Sequence, residues 1–381
     1  MVLFRLVVKM IKYFKILAFA SLLSFIGCDK AIIVPQMPEN TRPGWEYPRK
    51  DCRNSGYIAG RLSNKLEVKW HIELPALDPT SPVVFADKVI VGLPNKRIVA
   101  YDAKTGNKVG DIWVDVPLCE PPVIFDDKMW FIGFGAYNRV GVYDFTNGKT
   151  KWTKSCGDAQ IWGIPTDSIF IIATLSGGIY GLSTVDGKKR WSQKRKLAIR
   201  TAIAYRTGAF FAASGGEICR IDSDGKIVYR KKLGNSLSGA SIISDDKIFA
   251  HSADGNIYAL SPEDGKIIWQ NSIPDECGLP MATDGKNLIV ADKMGKIFAF
   301  DCGTGAKKWV SKLGDVINAP PIIVGNDVIA VSYTGKLFKI DVETGSIEYS
   351  LSLNKFVSKS PVSDGEKIFI ATANGELFCI R

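Results

Sequence analysis

Short apolar runs alternate with polar turns along most of this chain, and no stretch of its body sustains the 3.6-residue period of an amphipathic helix. The stretch from Lys247 to Gln270 is representative. Lys247–His251 reads as a strand, Asp254-Gly255 turns, Asn256–Leu260 reads as a second strand, Pro262–Gly265 turns, and Lys266–Trp269 runs back. Strands rich in Ile, Val, Phe and Tyr, parted by Asp-Gly, Asn-Gly or Thr-Gly, are antiparallel hairpins, because Gly supplies the positive φ of a tight turn.

A longer pattern overlies this one. A turn Gly is followed four residues later by a large aromatic: Gly148/Trp152, Gly187/Trp191, Gly225/Tyr229, Gly265/Trp269, Gly305/Trp309 and Gly345/Tyr349. Gly106 belongs to the series, with its Trp displaced to Trp113. From Gly106 to Gly345 the intervals are 42, 39, 38, 40, 40 and 40 residues. That is the period of a propeller blade of four short strands. An eighth unit begins at Ser360-Pro361 and stops at Arg381 after three strands, Pro361–Ser363, Lys367–Ala371 and Glu376–Ile380. Leu66–Trp70 supplies the missing outer strand, so the N-terminal strand is expected to complete the last blade and remove the open edge. The fold class is therefore all-β: an eight-bladed β-propeller of four-stranded antiparallel blades over residues 64–381.

Trp70, Trp113, Trp152, Trp191, Trp269 and Trp309, with Tyr229 and Tyr349, hold the outer-strand position. Recurrence once per repeat points to blade-to-blade docking and not to a binding surface. Asp102, Asp144, Asp301 and Asp341 recur four residues before the turn Gly, where a carboxylate caps a turn.

The N-terminus has a different character. Arg5, Lys9, Lys12 and Lys15 precede an apolar run, Ile16–Ile26, that is too short to cross a bilayer, and Gly27-Cys28 follows. Residues 1–27 read as a lipoprotein signal peptide, with Met10 as an alternative start and Cys28 as the lipid-attachment residue. Residues 28–63 read as a lipidated N-terminus and tether, irregular from Asp29 to Pro48 and containing Pro35, Pro38, Pro43 and Pro48. Multiple acylation would make the anchor durable, since one chain binds membranes only marginally. The address is the bacterial envelope, facing the periplasm. The outer membrane is the expected site, and Asp29 after Cys28 keeps the inner membrane open.

Composition sharpens this picture. The chain has 381 residues and a formal net charge of +10. Removing residues 1–27 takes away four cations and no acid, which leaves +6 and little basis for nucleic-acid binding. The cations that remain gather in Lys188-Lys189-Arg190 and Lys194-Arg195-Lys196, with Arg200 beyond. Two histidines leave little room for a His-rich metal site or a His-based nucleophile triad. Eight cysteines become seven if Cys28 is acylated, and no disulfide framework emerges. Cys219 and Cys379 lie in apolar strands, whereas Cys119 and Cys277 fall four repeats apart, on opposite blades.

Ala100-Tyr-Asp102-Ala-Lys-Thr-Gly106 and Ala299-Phe-Asp301-Cys-Gly-Thr-Gly305-Ala-Lys-Lys-Trp309 resemble the repeat of the pyrroloquinoline-quinone (PQQ-like) propeller superfamily, as does Trp45–Tyr57. The resemblance extends from Trp45 to the end of the chain. That superfamily holds quinoprotein dehydrogenases and non-enzymatic binding members. The dehydrogenases carry an adjacent Cys-Cys pair and Glu/Asn/Asp ligands to Ca²⁺, and this chain has neither the pair nor a loop dense in carboxylates.

In its lipobox, short tether, eight-blade ring and terminal strand, the chain is similar to the BamB-like lipoproteins of outer-membrane β-barrel assembly. The resemblance implies a non-enzymatic, membrane-anchored, monomeric scaffold with no cofactor and no metal, whose protein partner is the outer-membrane β-barrel insertase. Such proteins use a Leu-x-Leu-Arg loop between blades, which here maps to Leu197-Ala198-Ile199-Arg200. Leu197, Ile199, Arg200, Lys194, Arg195 and Lys196 are thus the candidate partner-binding residues, and packing at a strand edge is the alternative role of Leu197 and Ile199. The family's Asp pair on the next loop corresponds to Ser236 and Ser238. Two other functions stay open: an envelope propeller that binds a different ligand or protein, and a quinoprotein oxidoreductase.

Overall fold

Eight four-stranded antiparallel sheets follow one another along the chain, and in the first seven each strand pairs with the next in sequence. The computed structural model describes residues 30–34, 44–134, 138–159, 161–194, 199, 203–234, 236–244 and 246–381. Blade 1 consists of Val83–Phe85, Lys88–Leu93, Arg97–Asp102 and Lys108–Trp113. Blades 2 to 7 repeat the plan, ending in outer strands Lys149–Ser155, Lys189–Lys194, Ile227–Lys232, Ile267–Ser272, Lys307–Lys312 and Ile347–Ser352. Blade 8 has Val362–Ser363, Ile368–Ala371 and Glu376–Ile380, and its outer strand is Val68–Glu73 from the other end of the chain. Trp70 stands opposite Cys379 in that pairing, so the ring closes as the repeat count requires.

Burial follows from this arrangement. The second and third strands lie between two neighbouring blades, so both of their faces are covered and they read as continuous apolar runs. Asn287–Ala291 and Asp327–Val331 are buried at every position. Outer strands meet a neighbour on one side only, and alternate between half-buried and exposed, as in Lys189–Lys194.

Each outer strand carries a bulge immediately before its docking position. One extra residue there turns the next side chain toward the following blade. The indole of Trp309 donates to Val342 O at 2.9 Å, and that of Trp269 to Cys302 O at 3.0 Å. Trp70, Trp152 and Trp191 reach Ala103, Thr184 and Ser223 in the same way, and the Tyr229 hydroxyl donates to Pro262 O. The ring then lies flat on the next turn Gly. Gly305 has φ +74°, and a Cβ there would come within 2.5 Å of the Trp269 ring. Gly is needed twice over, for the left-handed backbone and for the contact. Tyr349 is half-buried against the core of blade 8.

The junction between blades 1 and 2 departs from this rule. Gly110, and not an aromatic, holds the docking position of blade 1, opposite Ala100. Trp113 falls three residues beyond it and is 48% exposed, with Lys96 Nζ 5.6 Å from its ring. The expectation that Trp113 docks blades is therefore corrected: the bulge sets the position, and the Trp lies past it. Residues 30–34 fill the vacated slot. A Cβ on Gly110 would collide with Ile32, and one on Gly148, the turn Gly of blade 2, would lie 2.9 Å from Ala31. Asp111 N donates to Lys30 O at 2.8 Å, Ile32 N to the Tyr143 hydroxyl at 2.9 Å, and Val34 N to Phe145 O at 3.2 Å. Ile32 and Val34 are buried, so part of the stretch expected to be an irregular tether is built into the ring.

The recurrent aspartates cap turns as expected. Asp102 Oδ1 accepts from Thr105 N and Oγ1, both at 2.8 Å, and Asp341 Oδ1 accepts from the same two groups of Thr344. At Asp301 the bond from Thr304 N holds the carboxyl below its usual range. Cys52, Cys119, Cys156, Cys277, Cys302 and Cys379 are free thiols, and Cys219, whose thiol donates to Ala212 O at 3.4 Å, is a buried core residue like Cys379.

Candidate partner-binding edge and the filled axis

Of the residues expected to meet a partner, Lys194 and Ile199 are described; Leu197, Arg200, Arg195 and Lys196, like Cys28, lie outside the described residues. Lys194 is exposed at the end of the blade 3 outer strand. Ile199 is fully buried and packs into the core of blades 2 to 4. It is committed to packing, in line with the packing alternative, and is not itself a contact surface. Ser238 is also committed inward: its hydroxyl donates to Cys277 O at 2.7 Å and lies 2.9 Å from Nδ1 of the buried His251. Burial pulls His251 down to about 4, so it is neutral at physiological pH.

Lys188, Lys189 and Arg190 are exposed along the same edge. Lys154, Lys188 and Lys189 line a cleft of about 440 Å³ between blades 2 and 3, floored by Ile172, Tyr180 and Leu182. The ammonium of Lys189 lies 5.9 Å from the Tyr180 ring. These side chains can meet an acidic surface without paying the full desolvation cost of a buried charge.

The ring axis holds the other organised site. Inner strands leave one edge unpaired, and residues 45–61 run along those edges in blade order. Trp45 exchanges both backbone bonds with Val84 of blade 1, and Ile124 N of blade 2 donates to Glu46 O. Tyr205, Ile243, Thr283 and Ile323, from the inner strands of blades 4 to 7, donate to Cys52, Arg53, Ser55 and Gly56. Tyr57–Ile58 adds a short parallel strand to blade 7, and Arg61 N reaches Gly365 O of blade 8. A segment without repeats thus satisfies the free edges of seven blades.

Two buried side chains hold it there. Arg49 donates to Ser360 Oγ at 3.0 Å, Met281 O at 2.7 Å and Pro321 O at 2.8 Å, tying together blades 6, 7 and 8. Burial lowers its guanidinium to about 9, so it stays charged at neutral pH. Asn54, with φ +61°, donates to Ile203 O and Ser241 O of blades 4 and 5. Asp51 shapes the bend between them by accepting from Arg53 N and Ser55 N, each at 3.0 Å. Sequence reasoning placed Trp45–Tyr57 within a resemblance and gave Arg49 and Asn54 no role. Apart from the Ser360 hydroxyl, their partners are backbone carbonyls, which leave no mark on the composition of the blades.

A quinone with calcium would need room at the axis and a cluster of hard oxygen ligands. The axis is filled by the chain itself, with Arg49 directed at carbonyls, and no group of three or more His, Cys, Asp or Glu among the described residues could hold a metal ion. The residues present do not fit such a pair.

Comparison with known proteins agrees with this architecture. The family model for "Outer membrane protein assembly factor BamB" matches residues 63–193, 136–278 and 176–381. A curated relative, the outer membrane protein assembly factor BamB of Kangiella koreensis, is 22% identical over 196 residues, 48% of this chain and half the length of that protein. Among solved structures, BamB from Moraxella catarrhalis is similar with a TM-score of 0.72 and 15% identity, over 83% of this chain and 99% of that one. A europium-containing methanol dehydrogenase is similar with a TM-score of 0.76 and 11% identity, over 90% of this chain and 98% of that one. At such identities the likenesses to solved structures establish the fold alone. The family model matches successive sets of blades from residue 63 to the last, and the chain therefore belongs to the BamB family of PQQ-like propellers.

Proposed function

We propose that this chain is a non-enzymatic scaffold of outer-membrane β-barrel assembly, anchored to the envelope through Cys28 and facing the periplasm. Its partner is the barrel insertase. The observation that carries this reading is the family match over every blade of a closed ring whose axis is filled by its own chain. The edge running from Lys194 into the connection after blade 3 holds the partner: Leu197 and Arg200 make the contact, Lys194, Arg195 and Lys196 steer it, and buried Ile199 fixes the base of the loop. In-cell photocrosslinking from position 197, followed by purification, is expected to retrieve the insertase, and Arg200→Glu is expected to abolish the crosslink. Recovery of no assembly component, together with normal levels of barrel proteins in a deletion strain, would reject the proposal.

A further inference from the structure

Charge is distributed unevenly around the ring. The outer strands of blades 2, 3 and 4 each carry three cations and no acid: Lys149, Lys151 and Lys154; Lys189, Arg190 and Lys194; Arg230, Lys231 and Lys232. The outer strand of blade 5 has no charge, that of blade 7 has only Glu348, and those of blades 1 and 8 balance one cation against one acid. Blade 6 has three cations, but Lys308 is held by Glu343 at 2.7 Å. On blades 2 and 3, Lys149, Lys151, Lys154, Lys188, Lys189 and Arg190 are all exposed. Two of them have distant or exposed partners, Lys151 with Asp144 at 3.9 Å and Lys188 with Asp186 at 3.3 Å.

The docked segment 30–34 enters the ring beside this edge. Ala31 and Ile33 lie against Gly148, the residue before Lys149, and Ile33 is 53% exposed. Cys28 precedes Lys30 by two residues in the sequence, so an anchor at Cys28 would join the ring through the docked segment 30–34. We infer that the outer edge of blades 2 and 3 around Lys149, Lys151, Lys188 and Arg190, at the opposite end of the blade 3 outer strand from Lys194, is the face that rests on an anionic membrane surface. Position and charge agree. The chain start delivers the ring to the bilayer at this edge, and the lysines there meet anionic headgroups while Ile33 faces the boundary. The orientation rests on Cys28 as the attachment point, whereas the affinity of the cationic edge does not.

The test uses the chain from residue 28 with Cys28→Ser, which retains every described residue. Sedimentation with vesicles of phosphatidylglycerol and phosphatidylcholine at about 3:7 is expected to show binding that weakens by about tenfold or more between about 50 and 200 mM salt. Neutralising Lys149, Lys151, Lys188 and Arg190 to Gln is expected to weaken it by about tenfold or more, with an unchanged melting temperature. Neutralising Lys65, Lys69, Lys307 and Lys312 instead leaves binding within about twofold of the parent, because those cations lie on other blades. Equal binding to pure phosphatidylcholine, equal loss in the two variants, or binding to soluble polyglutamate with none to vesicles would each overturn the inference; the last would make the edge a protein-binding face. Recovery of the insertase by crosslinking is independent of all three outcomes, so this inference and the proposed function fail separately.

Discussion

Two junctions in this ring solve one problem by different means. Between blades 6 and 7, Trp309 comes from the outer strand of blade 6, lies on Gly345, and donates to Val342 O. Between blades 1 and 2 the corresponding residue is Gly110, and Ile32 with Ala31 fills the slot from a segment that belongs to neither blade. The first contact forms as soon as two consecutive repeats exist. The second requires a strip from the start of the chain to dock, so its strength depends on what precedes it. A repeat protein distributes stability over its interfaces, and the exceptional interface is the one that can be loosened without unmaking a blade.

The largest expected effect comes from breaking the ordinary junction. Trp309→Ala should cost about 3–5 kcal/mol in denaturant unfolding, since it removes a large buried ring and leaves a cavity. Ile32→Ala should cost less, about 2–3 kcal/mol, and in hydrogen exchange the loss of protection should be confined to Lys108–Trp113 and the turn at Gly148. Exchange that rose equally in every blade would mean that the strip does not act locally.

A third change sharpens the comparison through pH. Glu120 lies in the connection that crosses the exceptional junction, and burial pushes its carboxyl up to about 7 against the pull of Lys359. A folded-state value raised above the unfolded one makes ionisation a cost that is absent below about pH 4.5, grows as pH rises, and is complete above about 7. Glu120→Gln should therefore stabilise the protein by about 1–2 kcal/mol at pH 8, after allowance for partial exposure, and by almost nothing at pH 4, as read from paired melting curves. The smallest effect should be that of Trp113→Ala, about 0.5 kcal/mol or less, because its exposed ring docks nothing. A loss near that of Trp309→Ala would restore the regular pattern and remove the distinction between the junctions.

The ring was legible because its chemistry repeats. A Gly that needs a positive φ and an aromatic four residues later recur in blades 2 to 7, and closure by Leu66–Trp70 follows from an incomplete eighth unit. Trp113 misled for a physical reason. Seven residues beyond Gly106 it still lies on the outer strand, but the bulge assigns docking to Gly110, and a bulge is set by pairing that single-strand patterns do not reveal. The stretch before Leu66 was less legible because it has no period. Its contacts are backbone bonds to strand edges and side-chain bonds to carbonyls, as at Arg49 and Asn54, and only tertiary structure brings those groups together. Of the candidate partner residues, Lys194 is exposed as expected, whereas Ile199 is buried in the core, so an apolar residue in such a motif can serve packing and not contact.

Closure by the chain ends governs the order of assembly. Arg49 must find Ser360, 311 residues away, and Trp70 must find its place opposite Cys379. During synthesis a segment made before any complete blade is therefore among the last to reach its final place. Until the eighth repeat is complete, Val68–Glu73 is an edge strand with no neighbour. Contacts this distant in sequence make folding slow and leave a long interval in which the unfinished ring exposes apolar edges. The latch that makes the finished molecule seamless is also what makes it vulnerable while it is being built.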